Sequence, residues 1–386
     1  MRFFEKRPSR FPLASLSDYR DLARKKLPRP LFDFIDGGAF NEQTRRKNQT
    51  DFASVTFRKQ VLKDVSSIDP SGTLLGQPVS CPFVLGPVAL AGAFSRRGDE
   101  AAARAASEER IPFVLSAAAI ASFAEIEKTT SVPFWFQFNL LKEPADSLEL
   151  LQRAWASGCR ILMLTVDLPT IGTRYRYDRH NKGTGRVLSD FWHSLTHPAW
   201  FVSVRLLGGP LRLGAIPLRA AHLPDLSSMR DWYRNQLSSS FTWKDLEWVR
   251  SNWPGKIVLK GILDAADALR ALESGMDGIA VSNHGGRHID CVPSALSILP
   301  SIADAIGGRM EILLDGGITN GLDLIKALAL GANGCMIGRA WAFALAARGG
   351  KGVVEAIQIL KKEFHIGMAQ LGFNKIGEID KRTIYT

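Results

Sequence analysis

Cysteine is scarce: four residues in 386, at Cys81, Cys159, Cys291 and Cys335, with no Cys-x-x-Cys spacing among them. So few, so scattered, exclude a disulfide framework and point to a reducing, cytoplasmic compartment. No stretch of 18 apolar residues runs free of charge, which excludes a transmembrane helix. Met1 to Arg10 mixes charges with Pro8 and has no apolar h-region, so a secretory signal is not expected there. No apolar run is followed by Gly-x-Gly-x-x-Gly, which argues against a dinucleotide-binding open sheet. No nucleic-acid-binding motif is visible. Acidic residues are in deficit, 38 Asp and Glu against 49 Lys and Arg, leaving a formal charge of +11. Such a balance favours anionic ligands or an anionic membrane surface.

The surplus is concentrated. Between Ile171 and His222 stand eight Arg or Lys against two Asp, interleaved with Phe191, Trp192, Trp200, Phe201 and paired leucines. Cations mixed with aromatics and aliphatics suit peripheral membrane contact better than a nucleic-acid groove. A basic insertion that merely covers the body is the competing reading.

Hydrophobic residues make up 46% of the chain, ample for a core. Eight short apolar runs are bounded by turn residues or helical patterns: Pro82–Ala89, Pro112–Ala119, Phe134–Leu140, Ile161–Asp167, Lys256–Ile262, Gly278–His284, Glu311–Gly317 and Gly334–Ala340. Most are continuous rather than alternating, as in strands buried on both faces. Gly158, Gly275 and Gly331 each follow a helix-like stretch where a left-handed C-cap needs glycine. Asp264 reads as a helix N-cap. Eight strands with helical crossovers predict an α/β fold, a (β/α)8 TIM barrel forming one domain over residues 1–386. Residues 1–50 read as a helical prelude, and about 175–245 as a long insertion after strand four.

A barrel gathers its chemistry at the C-terminal ends of its strands. Those ends carry Pro87-Val88-Ala89, Ser116, Gln137, Thr165 with Asp167, Lys260, Ser282 with His284, Asp315-Gly316-Gly317, and Gly338-Arg339. One polar end is unremarkable in function, but eight converging on one mouth form a site. The sixth end reads Ser282-Asn283-His284-Gly285-Gly286-Arg287, a proton acceptor and a fixed cation on a glycine-loosened turn. The seventh and eighth ends match the place where such barrels bind phosphate. His284, His288 and Cys291 lack metal-site spacing and a fourth ligand, so no metal is expected.

With these motifs in order, the chain resembles the FMN-dependent 2-hydroxy acid oxidase and dehydrogenase family, which includes L-lactate dehydrogenase, glycolate oxidase and mandelate dehydrogenase. The likeness also includes Gly37-Gly38-Ala39, Trp243-Lys244-Asp245-Leu246 and Ala327-Leu328-Ala329-Leu330-Gly331-Ala332. Thr196-His197-Pro198 gives it the flavour of the bacterial lactate dehydrogenase branch. The resemblance implies FMN as cofactor and oxidation of a small 2-hydroxy acid to the 2-oxo acid. His284 would be the base, Asp167 its orienting carboxylate, and Lys260 the cation beside the flavin. Arg287 and Arg174 would bind the substrate carboxylate. Pro87, Val88, Ala89, Ser116, Gln137, Thr165 and Ser282 would line the flavin, and Asp315, Gly316, Gly317, Gly338 and Arg339 would hold its phosphate. The resemblance further implies a homo-oligomer, a tetramer, that passes electrons to a quinone, another carrier or oxygen.

Three positions depart from the family pattern. Phe34 and Asn139 stand where relatives carry tyrosines that touch substrate, and Thr319 where they carry a phosphate-binding arginine. A lost hydrogen bond to a charged group is worth about 1.5–3 kcal/mol. The expected substrate is therefore bulkier than lactate, and Arg287 carries most of its carboxylate recognition. The alternatives are an oxidase acting on a derivatised hydroxy acid, a non-redox FMN isomerase of the same superfamily, and a binding protein on a retired scaffold. Retention of His284, Asp167, Lys260 and Arg287 weighs against the last two.

Overall fold

Each of the eight apolar runs contains a short parallel strand in the computed structural model, which describes residues 13–181 and 196–385. These are β1 (Phe83–Leu85), β2 (Val114–Ser116), β3 (Trp135–Phe138), β4 (Ile161–Thr165), β5 (Lys256–Ile262), β6 (Gly278–Ser282), β7 (Glu311–Asp315) and β8 (Gly334–Ile337). Their lateral order is β1-β8-β7-β6-β5-β4-β3-β2. A parallel bridge between Leu85 and Phe113 joins the two outer strands and closes the ring. The expected (β/α)8 barrel is the observed fold.

Every residue of β3, β4 and β6 is buried, which is why those runs are continuously apolar. Val84, Val114, Trp135, Met163, Val258, Ala280, Leu313 and Met336 pack together inside the barrel. A hairpin of Gly72–Leu74 and Gln77–Val79 adds Leu74, Leu75 and Val79 to the same cluster, and so plugs the end opposite the site. The Trp135 indole donates to Gln77 Oε1 at 2.6 Å, which ties plug to strand. A buried tryptophan in such a setting is worth roughly 3–5 kcal/mol on truncation to alanine.

The local signals behave as their chemistry demands. Gly158, Gly275 and Gly331 adopt φ of +83°, +71° and +106° just past their helices. Asp264 caps the helix Ala265–Glu273 by accepting from the Ala266 amide at 2.8 Å.

Ser116, Gln137, Thr165, Lys260, Ser282 and Asp315 lie at or near the C-terminal ends of their strands, and Asp167, His284 and Arg339 follow just beyond, all at the mouth. Two segments roof that mouth. The prelude supplies helices Leu16–Lys26, Arg29–Asp36 and Gln43–Ser54. The insertion supplies helices Tyr175–Asn181 and Leu226–Gln236, with short turns at Pro198–Trp200, Phe201–Leu206 and Leu218–Ala220. Phe191, Trp192 and His193 lie outside the described residues. The two segments are joined by Asp36, which is buried and accepts from Arg20 at 2.7 Å, Arg45 at 3.1 Å and Arg176 at 2.9 Å. Burial alone would favour its neutral form, but the three guanidiniums outweigh that and hold its pKa far below the usual carboxylate range. No helix among the described residues is long and apolar enough to cross a membrane.

Candidate active site

His284 sits at the end of β6 with φ +55°, a left-handed conformation rare for a side-chain-bearing residue. Its amide donates to Ser282 Oγ at 2.9 Å, which fixes this turn. Its Nδ1 lies 3.1 and 3.3 Å from the two Asp167 oxygens, which follow β4 and reach past the single intervening strand β5. With Nδ1–H donated to the carboxylate, Nε2 is left as the proton acceptor. Burial, and then the Lys260 cation, hold the His284 pKa well below its ordinary 6.5. The imidazole is therefore neutral at neutral pH. The His288 ring stands edge-on at 4.2 Å between centroids, confining the His284 ring from its flank. Asp167 is in turn wedged by Gly261, whose φ is +112° and where an added Cβ would fall 2.5 Å from Asp167 Cβ. Only glycine fits there.

Lys260, on β5, is buried. Its Nζ pairs with Asp315 Oδ2 at 2.9 Å and donates to Ser282 Oγ at 3.1 Å. Burial works against the ammonium, but Asp315 and Asp167 outweigh it and raise its pKa. Lysine is thus a permanent cation in the site. Ser282 also donates to Asp315 at 2.6 Å. Ser282 is fully buried, and its hydroxyl braces Lys260, Asp315 and the His284 amide.

Gln137 is a hub of the opposite wall. Its Nε2 donates to Asn139 Oδ1 at 2.7 Å and Thr165 Oγ1 at 2.9 Å, and its Oε1 accepts from Ser116 at 3.3 Å. Tyr233, from the insertion, donates its hydroxyl to Asn139 Oδ1 at 3.1 Å. Asn139 Oδ1 is thereby occupied twice, while among the described residues its amide nitrogen has no hydrogen-bond partner.

Arg287 lies over the Phe34 ring at 5.1 Å, and Arg174 lies 5.7 Å from the same ring. Arg287 Nη1 donates to the carbonyls of Phe34 at 2.8 Å and Ile35 at 3.1 Å. Part of its fork is therefore spent on the prelude, which fixes its position over the site. Burial first, then Arg174, push its pKa well below that of a free guanidinium. Arg174 donates from Nε to the Arg287 carbonyl at 3.1 Å, and burial lowers its pKa to about 10. Tyr177 packs edge-on against Phe34 at 5.4 Å and accepts from Arg230 Nη2 at 2.9 Å. Tyr177, Tyr233, Arg230 and Arg234 all line the cavity and were not anticipated. The available signal was the spacing of Arg230, Tyr233 and Arg234, which puts all three on one helix face.

The expected phosphate end divides in two. After β7, Asn320 caps the helix Gly321–Ala329 by accepting from the Leu322 and Asp323 amides, and Glu363 accepts from the Gly321 amide at 2.8 Å. Thr319 is turned onto Asp323. That terminus is occupied by the protein itself. After β8, the helix beginning at Arg339 has no side-chain cap, and Gly338, Arg339 and Ala340 line the cavity. Its first-turn amides have no intrahelical partners and suit an anion. The Arg339 side chain bonds the carbonyls of Ile35, Gly37 and Gly285. Gly317 is glycine for a packing reason, since a Cβ would lie 1.9 Å from the Asn48 carbonyl oxygen.

His284, Lys260, Arg287, Arg174, Gln137, Asn139, Ser116 and Thr165 line one cavity of about 1310 Å³, together with Pro87, Val88, Ala89, Gly316 and Gly317. That exceeds the ~300–1,000 Å³ of a single-ligand pocket and accommodates a cofactor with a substrate. A buried cation, amide and hydroxyl donors on one wall and an uncapped helix terminus fit the ring edge and phosphate of a flavin mononucleotide.

Comparison with known proteins gives the same chemistry. The family model described as FMN-dependent dehydrogenase matches residues 23–386. The chain is 42% identical over 371 residues to an L-lactate dehydrogenase of Caulobacter sp. (strain K31), covering 96% of this chain and 97% of that one. It is 42% identical over 370 residues to an L-lactate dehydrogenase of Pseudomonas syringae pv. syringae (strain B728a), covering 95% and 97%. Among solved structures it is similar to the monotopic membrane protein (S)-mandelate dehydrogenase, with TM-score 0.90, 33% identity and coverage of 97% and 100%. A mandelate oxidase with benzoyl-formic acid aligns with TM-score 0.81 and 31% identity, covering 97% and 98%.

Proposed function

This chain belongs to the FMN-dependent dehydrogenase family, and on that premise we propose that it oxidises an L-2-hydroxy acid to the 2-oxo acid with His284 as the base. The observation that carries the reading is His284, held by Asp167 at 3.1 Å and lining the same cavity as Lys260, Arg287 and Arg174. FMN, when bound, supplies the electron acceptor for the carbon–hydrogen bond that breaks. Lys260, Ser116, Gln137 and Thr165 would hold its ring edge, Pro87, Val88 and Ala89 would pack beside it, and the first-turn amides at Gly338–Ala340 would hold its phosphate.

The protein's own residues then do the acid–base and positioning work. Arg287 and Arg174 grip the substrate carboxylate, with Asn139 donating from its free amide. Their fixed fork geometry orients the hydroxy carbon toward His284. His284, held neutral by burial and by Lys260, takes the substrate proton at Nε2. Asp167 then faces the imidazolium it has helped to form, a charge pair in a low-dielectric setting.

The substrate is bulkier than lactate. The cavity volume supports this, and so does the aromatic wall of Phe34, flanked by Tyr177 at 5.4 Å and Phe94 at 6.2 Å. Electrons pass on to a quinone, another carrier or oxygen. A quinone at a membrane surface is favoured by the insertion, where Val202, Leu206, Leu207 and Leu218 are 45, 62, 60 and 65% exposed close to Arg205, Arg212 and Arg219. Apolar side chains beside cations are what a peripheral contact with an anionic bilayer uses.

The test is anaerobic mixing of the FMN-loaded protein with a panel of L-2-hydroxy acids, following loss of the flavin's visible absorption. His284→Ala should keep FMN and abolish reduction. Reduction at the wild-type rate in that variant would remove His284 from its role, and failure of every hydroxy acid to reduce the flavin would overturn the reading.

A further inference from the structure

Simple 2-hydroxy acids bring one negative charge to the substrate end of the cavity. The protein supplies several positive ones. Arg20 and Arg45 are paired with Asp36, and Lys260 with Asp315. Arg174, Arg230 and Arg234 line the same cavity, and among the described residues none of them has a carboxylate at ion-pair distance. Asp178 is turned to the Arg174 amide at 3.2 Å, and Asp231 stands exposed at the mouth.

Arg230 and Arg234 are one turn apart on the helix Leu226–Gln236, with Tyr233 between them on the same face. Like charges at that spacing disfavour a helix, and Asp231, the one carboxylate between them, leaves a net positive charge on this face. Tyr233 is anchored to Asn139, which fixes the rotation of this helix and turns the two arginines toward the cavity. Arg230 is further positioned by its bond to Tyr177, whose ring rests on Phe34. The Arg230 guanidinium is thus set in place before any ligand arrives, and Arg234, exposed one turn on, lines the cavity beside it. Guanidiniums so held are suited to oxyanions.

We infer that Arg230 and Arg234 form a second anion subsite at the outer end of the substrate cavity, and that the substrate is a 2-hydroxy acid bearing a second oxyanion. This deepens the function proposed above and rests on it. The first carboxylate lies at Arg287, next to His284. The second oxyanion, a carboxylate or phosphate at the far end of the chain, neutralises the surplus on the insertion helix.

The experiment compares substrates of matched length on the FMN-loaded protein: L-2-hydroxyglutarate and L-2-hydroxy-4-phosphonobutyrate as dianions, L-2-hydroxyhexanoate as the monoanion. A kcat/KM at least tenfold higher for either dianion is expected, and which one leads tells carboxylate from phosphate. Arg230→Gln with Arg234→Gln should erase that preference, costing the dianion roughly ten- to a hundredfold more than the monoanion, as expected for a lost charge-assisted hydrogen bond. Equal use of dianion and monoanion by the wild-type protein would overturn the inference, as would a double variant that slows both alike. Should the double variant fail to fold, the wild-type ratio still decides. Flavin reduction by monoanions alone would sink this inference and leave the proposed reaction standing; no reduction by any of them would sink the reaction itself.

Discussion

Replacing Gly261 with alanine tests the His284–Asp167 pair without touching either residue. The new Cβ would stand 2.5 Å from both Cβ and Cγ of Asp167 and 2.8 Å from Oδ1. Relief requires a shift of about 1 Å, to reach the ~3.5 Å of ordinary carbon–carbon contact. The two Nδ1–oxygen distances are 3.1 and 3.3 Å, so a displacement of that size takes both past hydrogen-bonding range. A hydrogen bond to a charged group contributes about 1.5–3 kcal/mol, so flavin reduction should slow by roughly ten- to a hundredfold. Backbone strain at φ +112° adds a further ~1–3 kcal/mol against the folded state, read separately by thermal unfolding. Stopped-flow reduction under saturating substrate measures the first effect. Asp167→Asn should cost a similar amount, and the two changes together little more than either alone, because both remove one interaction. Wild-type reduction by the Gly261→Ala protein, or effects of the two changes that simply add, would refute the reasoning.

The pH dependence of flavin reduction follows from the depressed pKa of His284. The neutral base is populated above that value, so the rate should be level from pH 6.5 upward through neutrality and fall only in acid well below 6.5; an acid limb centred at or above 6.5 would contradict this. Asp36→Asn leaves three guanidiniums without their shared carboxylate, and since those arginines are partly solvated, the loss should be about 3 kcal/mol in denaturant unfolding. A change below about 1 kcal/mol would mean the network contributes little. Val202, Leu206 and Leu207 replaced together by serine should cut sedimentation with anionic vesicles at least tenfold while FMN-dependent reduction persists, at about 1 kcal/mol per buried aliphatic; undiminished sedimentation would exclude this patch as the contact.

The relatives and the site geometry bear on different levels of the same question. Identity of 42% over almost the whole chain shows the family and its cofactor. The relatives named L-lactate dehydrogenase and those named for mandelate differ in substrate, so the choice must come from this chain's own cavity wall. That wall is built largely by the insertion, through Tyr177, Arg230, Tyr233 and Arg234. Hydroxyls absent from positions 34 and 139 are replaced in space by Tyr177 and Tyr233, which lie against those two residues from another segment. The pocket is therefore better furnished with polar groups than positions 34 and 139 alone imply.

Much of this molecule is written locally in its sequence. Continuous apolar runs, glycines at helix ends and the Asp264 cap depend on neighbours a few residues away, and they predict the eight strands and their order. The barrel then does the rest of the early work, because any residue at a strand's C-terminal end is delivered to the same mouth. That is why His284, Asp167, Lys260 and Arg287 were legible together despite separations of up to 120 residues along the chain. What the tertiary structure alone decided concerns loops and shared partners. The Ser282 hydroxyl is shared between Lys260 and Asp315, which arrive from two neighbouring strands. The helix after β7 is closed to an anion by Asn320 and Glu363, while the one after β8 is left open. Arginines 230 and 234 face the cavity because Tyr233 reaches Asn139, 94 positions away. Such choices follow from which buried polar group finds which partner across the mouth, and no periodicity along the chain encodes that.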